Sequence, residues 1–231
     1  MLKKTLGAVA TAIALGSILS ASVQATAVEG FDNTQHSLTA PNSPWVLVNK
    51  KNPLNPKSYV PRGLVTVAKN NPSSLRLVKP AADAFIKMID AARRAGAGKI
   101  SVASAYRSYD RQVAIHSEDV RKFGVIAGEK LAARPGFSEH QTGFAVDIYE
   151  ASQGCRIRVC FGSTKAGTWV RKNAWRYGFI VRYPYGKTAI TGYVWEPWHL
   201  RYVGIELATD MRANKITTLE EYFGLPAAPK Y

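Results

Sequence analysis

Cysteine is almost missing: the 231 residues contain two, Cys155 and Cys160. That excludes a disulfide-knit mini-domain and a Cys-rich structural zinc module. Acidic side chains are also scarce, 16 against 31 Lys and Arg, giving a formal charge of +15. No low-complexity tract, heptad run or internal repeat accompanies that charge, so collagen, coiled coil and wholesale disorder are excluded. A nucleic-acid-binding motif is absent too, and the basic pairs Lys50-Lys51, Arg93-Arg94, Arg121-Lys122 and Arg171-Lys172 are spread along the chain. The charge therefore reads as a diffuse field and not as a docking block.

Long apolar runs are lacking apart from one at residues 6–19, preceded by Lys3 and Lys4 and followed by Val23-Gln24-Ala25. It falls short of the ~20 residues of a membrane span and ends in small residues at cleavage-type positions, so residues 1–25 read as a secretory signal peptide, with an uncleaved anchor as the alternative. Cleavage near Ala25 leaves 29 basic and 16 acidic side chains, a formal +13. The expectation is an exported protein, secreted or held in the cell wall or periplasm, without a lipid anchor because neither cysteine follows the leader closely. In such a compartment Cys155 and Cys160, with four residues between them, can close a disulfide across a short turn.

A composition of 46% apolar and 10% aromatic residues is that of a globular domain. Residues 26–43 lack apolar periodicity and read as a flexible leader, with the domain at 44–231. A strand is expected at Trp45-Val46-Leu47-Val48-Asn49 and another at 99–104. Apolar positions at Ala84, Phe85, Met88, Ile89 and Ala92 predict a helix over 79–95. Further helices are expected over 110–126, ended by Gly128, over 164–177 and near 218–223, and the tail 225–231 as frayed. Alternation in 144–148 sends Phe144, Val146 and Ile148 to a core face and Ala145 with Asp147 to the other. In 198–203 it opposes His199 and Arg201 to Trp198, Leu200 and Tyr202. Trp169, Trp175, Tyr177 and Phe179 read as core. Scattered strands with segregated helices indicate an α+β fold, a small antiparallel sheet flanked by helices.

Of four histidines, His36 lies in the leader and His116 on a helix, both read as solvated. The other two sit in Ser138-Glu139-His140-Gln141-Thr142-Gly143-Phe144-Ala145-Val146-Asp147 and Glu196-Pro197-Trp198-His199. His140, Asp147 and His199 form a three-ligand set that leaves the fourth tetrahedral position of Zn²⁺ open for water, the arrangement of a catalytic and not a structural site. Glu196 is placed to act as a base on that water. Either segment alone also fits a surface turn or a helix-face pair; Gly143, Ala145 and Pro197 favour the site, because they give a tight entry, room beside Asp147 and no regular helix before His199.

These segments resemble the bacterial zinc D-alanyl-D-alanine and L,D-carboxypeptidases, VanY-like enzymes that share a fold with lysostaphin-type endopeptidases and the hedgehog signalling domain. The likeness runs from Trp45-Val46-Leu47-Val48-Asn49 and Tyr59-Val60-Pro61 through Ser104-Ala105-Tyr106-Arg107-Ser108-Tyr109-Asp110-Arg111-Gln112 to His199-Leu200-Arg201-Tyr202-Val203-Gly204, about 160 residues. It implies that His140, Asp147 and His199 hold zinc and that Glu196 is the general base. Arg107 matches the arginine near the scissile bond, and Gln112, Ser138 and Tyr193 match substrate-binding positions. A surface ion pair, a helix-face amide, a turn residue and a core aromatic are the respective alternatives.

The implied reaction is removal of a C-terminal D-alanine from peptidoglycan stem peptides by activated water, with no acyl-enzyme. An endopeptidase of the same fold and a non-catalytic, zinc-containing wall-binding module are the rivals; the latter has no use for Glu196. A monomer is expected, associating electrostatically with anionic wall polymers and not with nucleic acid.

Overall fold

The computed structural model describes residues 30–67 and 75–231; the expected signal peptide lies outside them. The chain forms β1 (Leu64–Thr66), β2 (Arg76–Val78), α1 (Lys79–Arg94), β3 (Ile100–Ser104), α2 (Tyr109–Leu131), β4 (Ala145–Glu150), α3 (Lys165–Asn173), β5 (Phe179–Tyr183), α4 (Thr188–Thr191), β6 (Glu196–Tyr202), α5 (Ile205–Ala213) and α6 (Leu219–Tyr222). β1 and β2 make a small antiparallel pair, while β3-β4-β6-β5 form the main sheet, antiparallel throughout. This is the expected α+β architecture. None of the described helices is long and apolar enough to cross a membrane.

One face of the sheet makes the main core. Phe144, Val146, Ile148, Trp198 and Leu200 pack there against Ala81, Ala82, Phe85 and Met88 of α1 and Ala166 and Val170 of α3. The alternation read from the sequence thus places Asp147, His199 and Arg201 on the other face. α1 carries Pro80 in its first turn, where its missing N–H costs nothing, and Arg93 and Arg94 in its last, which suits the helix dipole. α3 packs so closely on the 3-10 turn Val159–Ser163 that a Cβ on Gly167 would sit 1.9 Å from the Phe161 carbonyl oxygen.

Several segments differ from the sequence expectation. The run at 45–49 alternates, Trp45 and Leu47 entering one cluster and Val46 and Val48 another, but it forms no strand. Its carbonyl neighbourhood belongs to a side chain: Arg201 donates to the carbonyls of Pro44 and Val46. Residues 30–42 of the expected leader are mostly exposed and touch the domain at a few apolar points. Phe31 and Leu38 lie against the Trp45 cluster, and His36 is exposed, as expected, with its ring edge to face against Trp45. His116, also expected as solvated, is half-buried, and its Nε2 lies 3.6 Å from Glu129.

α2 continues past its expected end and bends at Gly124, φ 76° and ψ 165°, not at Gly128. The part beyond the bend returns along the first, bringing Gly128 so close to Asp119 and Val120 that a Cβ would meet their backbone at 2.9–3.0 Å. The helix expected over 164–177 divides into α3 and a 3-10 turn, Ala174–Tyr177. β1, β2, β5, α4 and α5 escaped the sequence reading. The tail is not frayed: the Ala228 N–H donates to the Ile190 carbonyl at 2.7 Å. Cys155 and Cys160 are joined by a disulfide in the excursion after β4.

Gly143 links the fold to the site. It has φ 76° and ends the 3-10 turn Glu139–Thr142, and a Cβ there would lie 3.0 Å from Val78 and 3.1 Å from Leu64. Gly143→Ala is expected to destabilise the protein by about 1–3 kcal/mol, from left-handed strain and crowding together. An unchanged urea midpoint would contradict this account of the turn.

Candidate active site

β4 and β6 pair with Asp147 directly opposite His199, so antiparallel register alone sets a carboxylate beside an imidazole on one face. His140 arrives from the 3-10 turn that precedes β4. That turn is tied to the segment leaving β3, because the Arg107 N–H donates to the His140 carbonyl at 3.1 Å. His140, Asp147 and His199 are all buried, and one ligand atom from each falls within 4.8 Å of the others.

Hydrogen bonds select which nitrogen of each ring faces the centre. His140 Nδ1 lies 2.8 Å from the Ala105 carbonyl oxygen, which can only accept, so Nδ1 carries the proton. Its Nε2 then points at Asp147, 3.1 Å from Oδ2. His199 is turned the other way. Its Nε2 lies 3.2 Å from Glu139 Oε2 and its Nδ1 3.1 Å from Asp147 Oδ1. Asp147 Oδ1 is buried without a hydrogen bond of acceptable geometry. Two imidazole nitrogens and an orphaned carboxylate oxygen converging in this way fit a divalent zinc-type ion.

Burial alone would raise the Asp147 carboxyl, but the imidazoles of His140 and His199 beside it hold it well below the usual range. Burial lowers His140. For His199 burial is outweighed by the carboxylates of Asp147 and Glu139 beside it, which carry the ring up to about 9.

Glu196 opens β6 and sets Oε2 3.8 Å from His199 Nδ1. Burial pushes its carboxyl up to about 8. Arg107 reaches the same place from the other side, its Nη2 3.8 Å from Asp147 Oδ2. Gln112, read from the sequence as substrate-binding, is fully buried: it accepts from Arg107 Nη1 at 2.9 Å and donates to the Ala133 carbonyl at 2.7 Å. Its reach toward a substrate therefore runs through Arg107. Ser138 is buried at the start of the His140 turn and does not cap it. Tyr193 is buried against Tyr183, whose ring in turn packs on His199, with centroids 4.6 and 4.8 Å apart. Lys50 Nζ lies over the Tyr193 ring at 4.6 Å.

Behind His199 is a cluster the sequence reading missed. Glu139 Oε1 accepts from Arg182 Nε and Arg201 Nη1, both at 2.8 Å. Arg182 also forks onto Glu220 of α6 at 2.9 and 2.8 Å. Burial opposes the Glu139 charge, but Arg182 and Arg201 overcome it and hold the carboxyl well below its ordinary value. The adjacency of Glu139 to His140 and the shared face of Arg201 and His199 were visible signals; nothing marked Arg182 or Glu220.

Comparison with known proteins agrees with this geometry. YodJ of Bacillus subtilis (strain 168) is 43% identical over 201 residues, 85% of this chain and 71% of its own length. The solved LdcB LD-carboxypeptidase is 44% identical with a TM-score of 0.73, over 80% of this chain and 87% of that one. The vancomycin-resistance D,D-pentapeptidase VanY, solved with Zn(II), is 36% identical with a TM-score of 0.65, over 77% and 97%. The D-alanyl-D-alanine carboxypeptidase family VanY matches residues 74–205. The chain is thus an enzyme of the VanY family of D-alanyl-D-alanine carboxypeptidases.

Proposed function

We propose that this protein is a zinc-dependent carboxypeptidase that removes the terminal D-alanine from peptidoglycan stem peptides, with either D or L configuration at the residue before it. The observation that carries the reading is the convergence of His140, Asp147 and His199 with Glu196 and Arg107 beside them. Zinc bound by a structural neighbour and the orphaned Asp147 oxygen support zinc as the ion. His140 Nε2, His199 Nδ1 and Asp147 would hold it, and it would supply Lewis acidity at the scissile carbonyl and acidify water.

The chain's own groups supply the rest. Glu196, buried with Oε2 3.8 Å from His199 Nδ1, is placed to take a proton from the attacking water and return it to the leaving amine. Arg107 is held by Gln112 and by Ser104, whose Oγ accepts from Nη2 at 3.1 Å, and its guanidinium has further donors for a substrate carboxylate or a developing oxyanion. A fixed cation in a largely buried site favours a free C-terminus, because an internal peptide bond would leave it unpaired. The apolar run at 6–19 behind two lysines supports export. The excess of basic residues supports retention near anionic wall polymers, which would weaken as salt screens charges over ~8–10 Å.

Metal analysis and mass spectrometry of tetra- and pentapeptide stems test the reading. Glu196→Gln is expected to keep zinc and lose about 10²–10⁴-fold in turnover; hydrolysis near the wild-type rate would falsify its role as base. A protein that takes up no zinc would defeat the whole assignment. Zinc affinity should also rise with pH. The raised His199 holds its proton below about 9, and that proton must leave Nδ1 before the metal binds, so affinity should tighten about tenfold per unit from about pH 6 to 8. A flat profile in chelator competition would contradict this. Retention on isolated walls that is equal in low and high salt would remove the electrostatic part.

A further inference from the structure

We infer that Glu139 is a positioning residue for the metal centre: it fixes His199 with the proton on Nε2, so that Nδ1 is the nitrogen offered to the ion. The inference rests on the zinc reading above and adds a residue to it.

The geometry has three parts. First, Glu139 Oε2 is the partner of His199 Nε2 at 3.2 Å, and a carboxylate can only accept, so the ring proton is drawn to that side. Second, the carboxylate cannot turn away. Its other oxygen accepts from two guanidinium groups, Arg182 Nε and Arg201 Nη1, and Glu139, Arg182 and Arg201 are fully or almost fully buried. Third, the guanidiniums are themselves anchored. Arg182 forks onto Glu220, which also accepts from Asn49 at 3.0 Å, and Arg201 donates to the Pro44 and Val46 carbonyls at 3.0 and 2.9 Å. The His199 ring is thus oriented by a chain of charge-assisted bonds that begins in the 44–49 segment and α6.

The chemistry of the isostere makes this testable. Glu139 presents an acceptor to the arginines and another to His199, whereas a glutamine has a single acceptor oxygen. In Glu139→Gln the two charged donors outcompete the imidazole for that oxygen, and the amide NH₂ is turned toward His199 Nε2. An N–H facing an N–H is repulsive, so the ring proton moves to Nδ1, the nitrogen the metal needs.

The experiment measures zinc affinity by chelator competition and the His199 tautomer by ¹⁵N-histidine NMR, in the full chain. Wild type with zinc should show Nε2–H on His199. Glu139→Gln should bind zinc about 10- to 100-fold more weakly. Glu220→Gln, which loosens the same arginine without touching His199, should keep affinity within about threefold. Equal losses in the two variants would mean that only the packing of the cluster matters and would overturn the inference. So would wild-type affinity in a folded Glu139→Gln protein. Should that variant not fold, the wild-type spectrum still decides, since Nδ1–H on His199 in the zinc-loaded protein excludes the proposed role. Failure of wild type to bind zinc would instead count against the metal assignment itself.

Discussion

The site depends on one pairing of strands. Asp147 lies opposite His199 because β4 and β6 run antiparallel in a single register, and a slip of one residue would send either side chain into the apolar core. That register is enforced from behind: Val146, Ile148, Trp198 and Leu200 fill the space against α1 and α3. Core packing and ligand placement are thus two faces of one constraint. His140 is added by a turn whose left-handed glycine is crowded by Val78 and Leu64, so the third group is located by the same body of apolar contacts.

Opposite that core the sheet carries a high density of buried charge. Glu139, Arg182, Arg201 and Glu220 are each close to fully enclosed, an arrangement in which desolvation rivals the Coulomb attraction. Apolar residues of the same volume would satisfy folding as well. What they would not do is orient an imidazole, and the two histidines show why that matters: His140 is held through Nδ1 by a backbone carbonyl and His199 through Nε2 by a carboxylate. The rings meet nearly perpendicular, at 83°, so each offers a different nitrogen to the same point.

Alternation made the two ligand-bearing strands legible, because large apolar residues at 144, 146 and 148 and at 198, 200 and 202 leave Asp147 and His199 no other face. α1 was legible from its apolar spacing, and its bounds agree closely with 79–95. Spacing before His199 picked out Glu196, and motif resemblance, not pattern, picked out Arg107 beside the ligands. Elements with weak local signals were not legible. α5 carries Glu206, Asp210 and Arg212 among a few apolar positions, and β5 alternates poorly around Arg182. The 45–49 run looked like a strand because its side chains do alternate; its N–H groups bond to nearby turns and to Leu38, and the Val46 carbonyl to the distant guanidinium of Arg201, which a local reading cannot detect. Gln112 was picked out by resemblance, and its bond to Ala133, 21 residues away, lay beyond a local reading for the same reason.

The bent helix α2 has its own implication. Gln112 near its start is fastened to Ala133 just beyond its end, while the bend carries Phe123, Val125 and Ile126 out into solvent. The excursion is closed at its base like a loop on a drawstring. Residues can be gained or lost around the bend without shifting Arg107, which leaves this stretch free to diverge in length while the chemistry beneath it stays put.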